Sequence, residues 1–264
     1  MDIIIFGGQS NMQGQTECLS ENKVVENAFE YKFLSDSFVP LKNPVGEDIG
    51  YDFKETFVYK KDSDFKTWIE TTALGSACYG YTNMVPQFCR KYIEITGEKI
   101  LAVHAAKGST MVKEWLPPDK RFEVFIRKLT SAKEKLINKG ETIGKIYFVW
   151  LQGESDAIFE TSKAEYKEML TKLNLILKEN IGINKFGIIR VGRFTNDSRD
   201  DEIINAQSEI CNENEDFLML TEIATELNKQ KEYMNPEVAG HYSAKGLEKL
   251  GFEAAKTLGN YRIK

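Results

Sequence analysis

Asp2-Ile3-Ile4-Ile5-Phe6-Gly7-Gly8-Gln9-Ser10-Asn11-Met12 is the stretch from which the fold can be read. Its apolar run carries no polar alternation, the pattern of a strand covered on both faces in a parallel sheet. Runs of the same kind, rich in Ile, Val and Phe, recur at 99–105, 145–151, 185–191 and 217–222. The segments 83–96, 122–139, 163–179, 201–212 and 244–258 carry apolar residues at helical spacing. This alternation predicts an α/β fold, a doubly wound three-layer α/β/α sandwich around a five-stranded parallel sheet. A single domain over 1–264 follows from the length and from the absence of repeats, low-complexity tracts or a linker.

One departure from the pattern is the spacing after the first strand. Roughly seventy residues separate it from the next clear helix, against about 2–6 in an ordinary βα loop. The insertion, at about 15–80, holds Tyr31, Phe33, Phe38, Tyr51, Phe53, Phe57, Tyr59, Phe65 and Trp68. It is expected to pack as an ordered excursion, either walling a binding cleft or covering the sheet edge.

Composition narrows the function. The chain is 42% hydrophobic and 28% charged, ordinary for a globular protein. Its net charge of -5 comes from interspersed residues, with no basic stripe for nucleic acid and no basic amphipathic helix for a membrane surface. A small neutral substrate fits better, and oligomeric state is not legible. Cys18, Cys78, Cys89 and Cys211 form no C-x-x-C pair, so neither a zinc site nor a redox motif is indicated. The first apolar run is too short for a signal sequence, which points to a cytoplasmic protein.

In an open parallel sheet the ligand lies beyond the carboxyl ends of the strands. The residues found there are Gly7-Gly8-Gln9-Ser10-Asn11-Met12, Ala106-Lys107-Gly108-Ser109-Thr110 and Gln152-Gly153-Glu154-Ser155-Asp156, with Gly240-His241-Tyr242-Ser243 after the last strand. Ser10 follows a double glycine, which permits a tight turn that exposes the hydroxyl. A serine needs a neighbouring base, and the chain has two histidines. His104 lies within the second predicted strand, where a buried, hydrogen-bonded imidazole is the commoner role; His241 lies in a rim loop. Lys107-Gly108-Ser109-Thr110 has Lys and Gly in the reverse order of a phosphate loop, and no Gly-x-Gly-x-x-Gly follows the first strand, so nucleotide binding is disfavoured.

Gly8-Gln9-Ser10-Asn11-Met12, Gly108-Ser109-Thr110 with Trp115, Trp150-Leu151-Gln152-Gly153-Glu154-Ser155-Asp156, and His241-Tyr242-Ser243 with Gly246 resemble, in order and separation, the SGNH hydrolases. Within that superfamily the match is to carbohydrate esterase family six and the sialate O-acetylesterases. The resemblance implies a flavodoxin-like sheet and a serine esterase that removes O-acetyl groups from carbohydrate, such as acetylated xylo-oligosaccharide or sialic acid, without metal or other cofactor. It makes Ser10 the nucleophile and His241 the general acid/base. Oxyanion donors would be the Ser10 and Gly108 N–H groups and the Gln152 amide, whose other reading is a residue that satisfies loop backbone groups.

The acid is where the sequence departs from the wider superfamily. Three residues before the histidine stands Val238, which cannot orient an imidazole. Glu154 is the favoured substitute because a strand end holds a carboxylate more firmly than a loop does; Glu237 is the alternative. Asp156 reads as a cap on the segment it begins, and a Ser–His pair oriented by a backbone carbonyl is a further possibility. Asn11 and Trp115 are candidates for contacting the sugar, although Trp115 also suits anchoring the Pro117-Pro118 turn. A serine esterase acting on another substrate class and a non-catalytic carbohydrate-binding relative are the rival readings.

Overall fold

A computed structural model describes residues 1–20, 23–33, 35–46 and 81–264. The strands are β1 (Asp2–Gly8), β2 (Ala28–Lys32), β3 (Ser37–Pro40), β4 (Ile100–His104), β5 (Ile146–Leu151), β6 (Lys185–Ile189) and β7 (Phe217–Thr221). They form one sheet in the order β3-β2-β4-β1-β5-β6-β7. All neighbours are parallel except β3, which runs antiparallel to β2 at the edge. Every residue of β1, β4 and β5 is buried, as their unbroken apolar runs require.

The sheet therefore has seven strands where the sequence predicts five. The five expected strands are present, and the two added ones come from the insertion. Their pattern explains why they were illegible. In β2, Phe29 is 38% exposed while Glu30 is 1% exposed, the reverse of apolar-inward alternation. Glu30 is compensated by Lys32 Nζ at 2.8 Å and by the Gly46 N–H at 2.7 Å. Strand β2 thus owes its place to its pairing with β4, Ala28 beside Ile100 and Phe29 beside Leu101. Tyr51, Phe53, Phe57, Tyr59, Phe65 and Trp68, on which the expected cleft wall partly rested, lie outside the described residues.

The helices are α1 (Ser10–Gln13), α2 (Val85–Thr96), α3 (Lys120–Asn138), α4 (Glu154–Ile158), α5 (Lys163–Asn180), α6 (Ser198–Glu213), α7 (Ala224–Leu227) and α8 (Ala244–Arg262). The five long ones begin and end within a few residues of the periodic segments, and side-chain caps define the starts of four of them. Ser162 and Glu165 form a capping box at α5, and Asp119 and Asp197 cap α3 and α6. Ser243 caps α8 by accepting the Gly246 N–H at 3.2 Å, which fixes the point where the chain leaves the His241 loop. Helices α2 and α8 pack on each other. Both reach the Asp2 carboxylate, which accepts from Tyr92 Oη at 2.7 Å and Arg262 Nε at 2.9 Å. Among the described residues no helix is long and apolar enough to cross a membrane.

Candidate active site

The turn after β1 is built by the close approach of β5. Gly8 has φ +142, and a Cβ there would fall 2.0 Å from the Leu151 carbonyl oxygen, so only glycine fits. The chain then turns into the single-turn helix α1, which begins at Ser10. His104 and Asn83 hold that turn from behind: the Met12 carbonyl accepts from Asn83 Nδ2 at 2.6 Å and lies 3.0 Å from His104 Nε2. His104 is thus the buried, hydrogen-bonded histidine expected of its strand position. Burial lowers its pKa to about 4. The Ser10 hydroxyl makes no hydrogen bond among the described residues, and neither does its N–H.

Asn11 joins the two halves of the site. Its Nδ2 donates to Glu154 Oε1 at 2.7 Å and lies 3.4 Å from the Gly240 carbonyl, while its Oδ1 accepts the Tyr242 N–H at 3.1 Å. The expectation that Asn11 binds sugar is corrected here, since its amide is spent on the acid and on both neighbours of His241. Glu154, at the start of α4, is buried and its Oε2 has no partner among the described residues. Burial raises its pKa, opposed by the Asn11 bond and by the nearby His241 charge.

His241 Nδ1 lies 2.9 Å from the Ala239 carbonyl, so that nitrogen carries the proton and donates it there. Its Nε2 is buried and without a hydrogen-bond partner among the described residues. The orienting group of the imidazole is therefore a backbone carbonyl, and among the described residues Glu154 makes no hydrogen bond to it. The alternative acid, Glu237, is exposed on the loop. Its N–H caps onto Asn235 Oδ1 at 2.8 Å, and its carboxylate adds to the field at Cys18.

Two expected oxyanion donors are engaged within the protein. The Gly108 N–H donates to Gln13 Oε1 at 2.9 Å. A Cβ on Gly108 would lie 3.0 Å from that oxygen and 3.6 Å from Ser10 Cβ, so Gln13 carries an amide oxygen beside the nucleophile. Gln152 Nε2 is directed at the Thr110 carbonyl (2.8 Å), Asp156 Oδ2 (2.5 Å) and Gln9 Oε1 (3.2 Å). An amide nitrogen has two protons, so none is left for the Ser10 side, and Gln152 instead satisfies loop groups. Asp156 does not cap the segment it begins; its carboxylate, whose pKa burial raises, also accepts from Thr161 Oγ1 and from the Val112 N–H at the start of the short 3-10 turn Val112–Trp115. Trp115 is 1% exposed, donates to Thr110 Oγ1 at 3.1 Å and packs edge-on against Phe125 and Trp150. It is a core residue and not a sugar platform.

The sequence reading missed Gln9, Gln13 and Phe194. Gln9 Oε1 accepts from Gln152 and from the Ser155 N–H, locking the first and third strand-end turns together. Phe194 lies in the loop after β6, its ring centroid 6.1 Å from that of His241. The signal was available: the rule that sites lie at strand ends applies to β6 as well as to β1, β4 and β5. Among the described residues no group of three or more His, Cys, Asp or Glu side chains is placed to hold a metal.

A family model described as "Carbohydrate esterase, sialic acid-specific acetylesterase" matches residues 1–259. Among curated proteins no match is found. Among solved structures, a protein from Arabidopsis thaliana is similar at 15% identity and a TM-score of 0.68, over 98% of each chain. NanS is similar at 12% identity and 0.57, over 99% of this chain and 98% of its own. A lipase/acylhydrolase from Enterococcus faecalis is similar at 12% and 0.51, over 98% and 96%. At these identities the likeness speaks for the fold alone.

Proposed function

The chain belongs to the carbohydrate esterase, sialic acid-specific acetylesterase family, and from that premise we propose that it removes O-acetyl groups from a carbohydrate through an acetyl-serine intermediate, with Ser10 as nucleophile and His241 as acid/base. The observation that carries the reading is the buried His241 Nε2, without a partner among the described residues, in a loop held by Asn11, the residue next to Ser10, whose amide also holds Glu154. A proton on Nδ1, held by the Ala239 carbonyl, leaves Nε2 with the lone pair a general base requires.

In the first half-reaction Ser10 Oγ bonds to the acetyl carbon while His241 Nε2 takes the hydroxyl proton. The carbon–oxygen bond to the sugar then breaks, and Nε2 returns the proton to the departing oxygen. Water repeats the sequence, and acetate leaves. Glu154, when ionised, favours the imidazolium formed between the two transfers by charge rather than by direct hydrogen bond. The oxyanion is received by the Ser10 and Gly108 N–H groups once Gln13 Oε1 has given way to the substrate oxygen. Gln152 contributes by holding the Thr110 carbonyl, which keeps the Gly108 turn in place.

The test is acetate release from an acetylated xylo-oligosaccharide and from an O-acetylated sialic acid. The protein should cleave at least one, and Ser10→Ala should reduce the rate by a factor on the order of 10³ or more. Full activity in Ser10→Ala would overturn the mechanism. A preference for long acyl chains over acetate would overturn the substrate class.

A further inference from the structure

Resting on the acetylesterase reading, we infer that Phe194 is the platform for the sugar that leaves, stacking on the apolar C–H face of a pyranose beside His241. The leaving oxygen must come within hydrogen-bond reach of the imidazole nitrogen that protonates it. The sugar carrying that oxygen therefore lies against whatever borders His241. Among the described residues, the aromatic ring at that border is Phe194, edge-on to the imidazole with planes 79° apart and part of its surface open to solvent.

The ring is held in place from two sides. Gly240, the residue before His241, has φ +73, and a Cβ there would fall 2.1 Å from Phe194 Cε2, so ring and loop meet in direct contact. The Phe194 loop has no regular structure, yet its N–H groups are tied down by side chains. Val191 donates to Gln207 Oε1 at 2.9 Å and Arg193 to Asn228 Oδ1 at 2.6 Å. Phe194, Thr195 and Asn196 all donate to the buried Asp200 carboxylate, at 3.1, 3.0 and 2.7 Å. A loop fixed at so many points presents its aromatic ring preorganised, which lowers the entropic cost of binding. Trp115, the aromatic the sequence offered for contacting the sugar, is buried in the core and does not compete for this role.

The experiment compares kcat/KM for a monoacetylated methyl xyloside with that for ethyl acetate, whose leaving group cannot stack. The ratio of the two is measured in the wild type, Phe194→Leu, Phe194→Ala and Phe194→Trp. The ratio should fall about tenfold in Phe194→Leu, which keeps apolar bulk, and in Phe194→Ala, mainly through KM, and should return in Phe194→Trp. An unchanged ratio in Phe194→Leu and Phe194→Ala, even with lower overall rates, would mean the ring only supports the His241 loop and would overturn the inference while leaving the acetylesterase reading intact. Ser10-dependent cleavage of ethyl acetate by a wild type that ignores every acetylated sugar would remove the carbohydrate reading and the platform together.

Discussion

At the scale of single residues, the site is held by amides that bond to each other and to backbone. Asn11 is the clearest case, since one side chain fixes one oxygen of Glu154 and the backbone on both sides of His241. Asn11→Ala leaves a buried carboxylate and a loop N–H without partners. We expect a stability loss of about 1–3 kcal/mol, read from the urea midpoint. A fall of roughly 10–100-fold in kcat should accompany it as His241 loses its setting, read from acetate release under saturating substrate. An Asn11 that merely bound sugar would raise KM and spare stability, so the two measurements together separate the roles.

At the scale of elements, the decisive joint is between β1 and β5. Gly8 and Gly153 both take positive φ, +142 and +149, where the strand-end turns cross, and the carbonyl of Leu151 occupies the space a side chain at Gly8 would need. Gly8→Ala should cost more than about 3 kcal/mol, because backbone has to move and not a flexible side chain. Gly97 is the control: it too has positive φ, +71, but nothing lies within 4 Å of an added Cβ. Gly97→Ala should cost only about 1–2 kcal/mol, the conformational penalty by itself. Similar thermal shifts for the two variants would contradict this account. Helices were legible for a simpler reason, since their apolar stripes and caps are local; β2 was not, because a strand with a buried Glu30 is specified by its neighbour and by Lys32.

At the scale of the whole molecule, stability should depend on pH through buried groups beside the site. His104 is neutral in the fold, its pKa lowered from 6.5 to about 4. The unfolded chain therefore binds more protons between those values, and stability is lost as pH falls from 6.5 towards 4, by roughly 3 kcal/mol from this group. Glu154 and Asp156 act in the opposite sense: their raised pKa values mean that the fold keeps protons the unfolded chain has released, so they weaken the fold as pH rises above the ordinary carboxylate range. The two trends separate in a variant. The stability difference between wild type and His104→Gln should shrink by roughly 3 kcal/mol from pH 6.5 to 4 in urea titrations. A difference that stays flat across that range would show that His104 does not resist protonation.

The sequence by itself determined the α/β architecture and the candidate positions for the chemistry. Unbroken apolar runs and helical stripes are local and periodic, and they placed five strands and five long helices. Gly8-Gln9-Ser10, Gly108 and Gln152-Gly153-Glu154 were proposed from standing at strand ends, and His241 as the histidine of a rim loop. Only the tertiary structure decided where each side chain turns. It directed Gln152 and Asn11 inward to protein partners and buried Trp115 against Trp150. It also aimed the His241 Nδ1–H at the Ala239 carbonyl and brought Phe194 beside the imidazole from the loop after a strand the motif does not include. The physical reason is that periodicity encodes which face of an element is apolar. A hydrogen bond between Asn11 and Glu154, 143 residues apart, exists only once the sheet has brought the two turns together.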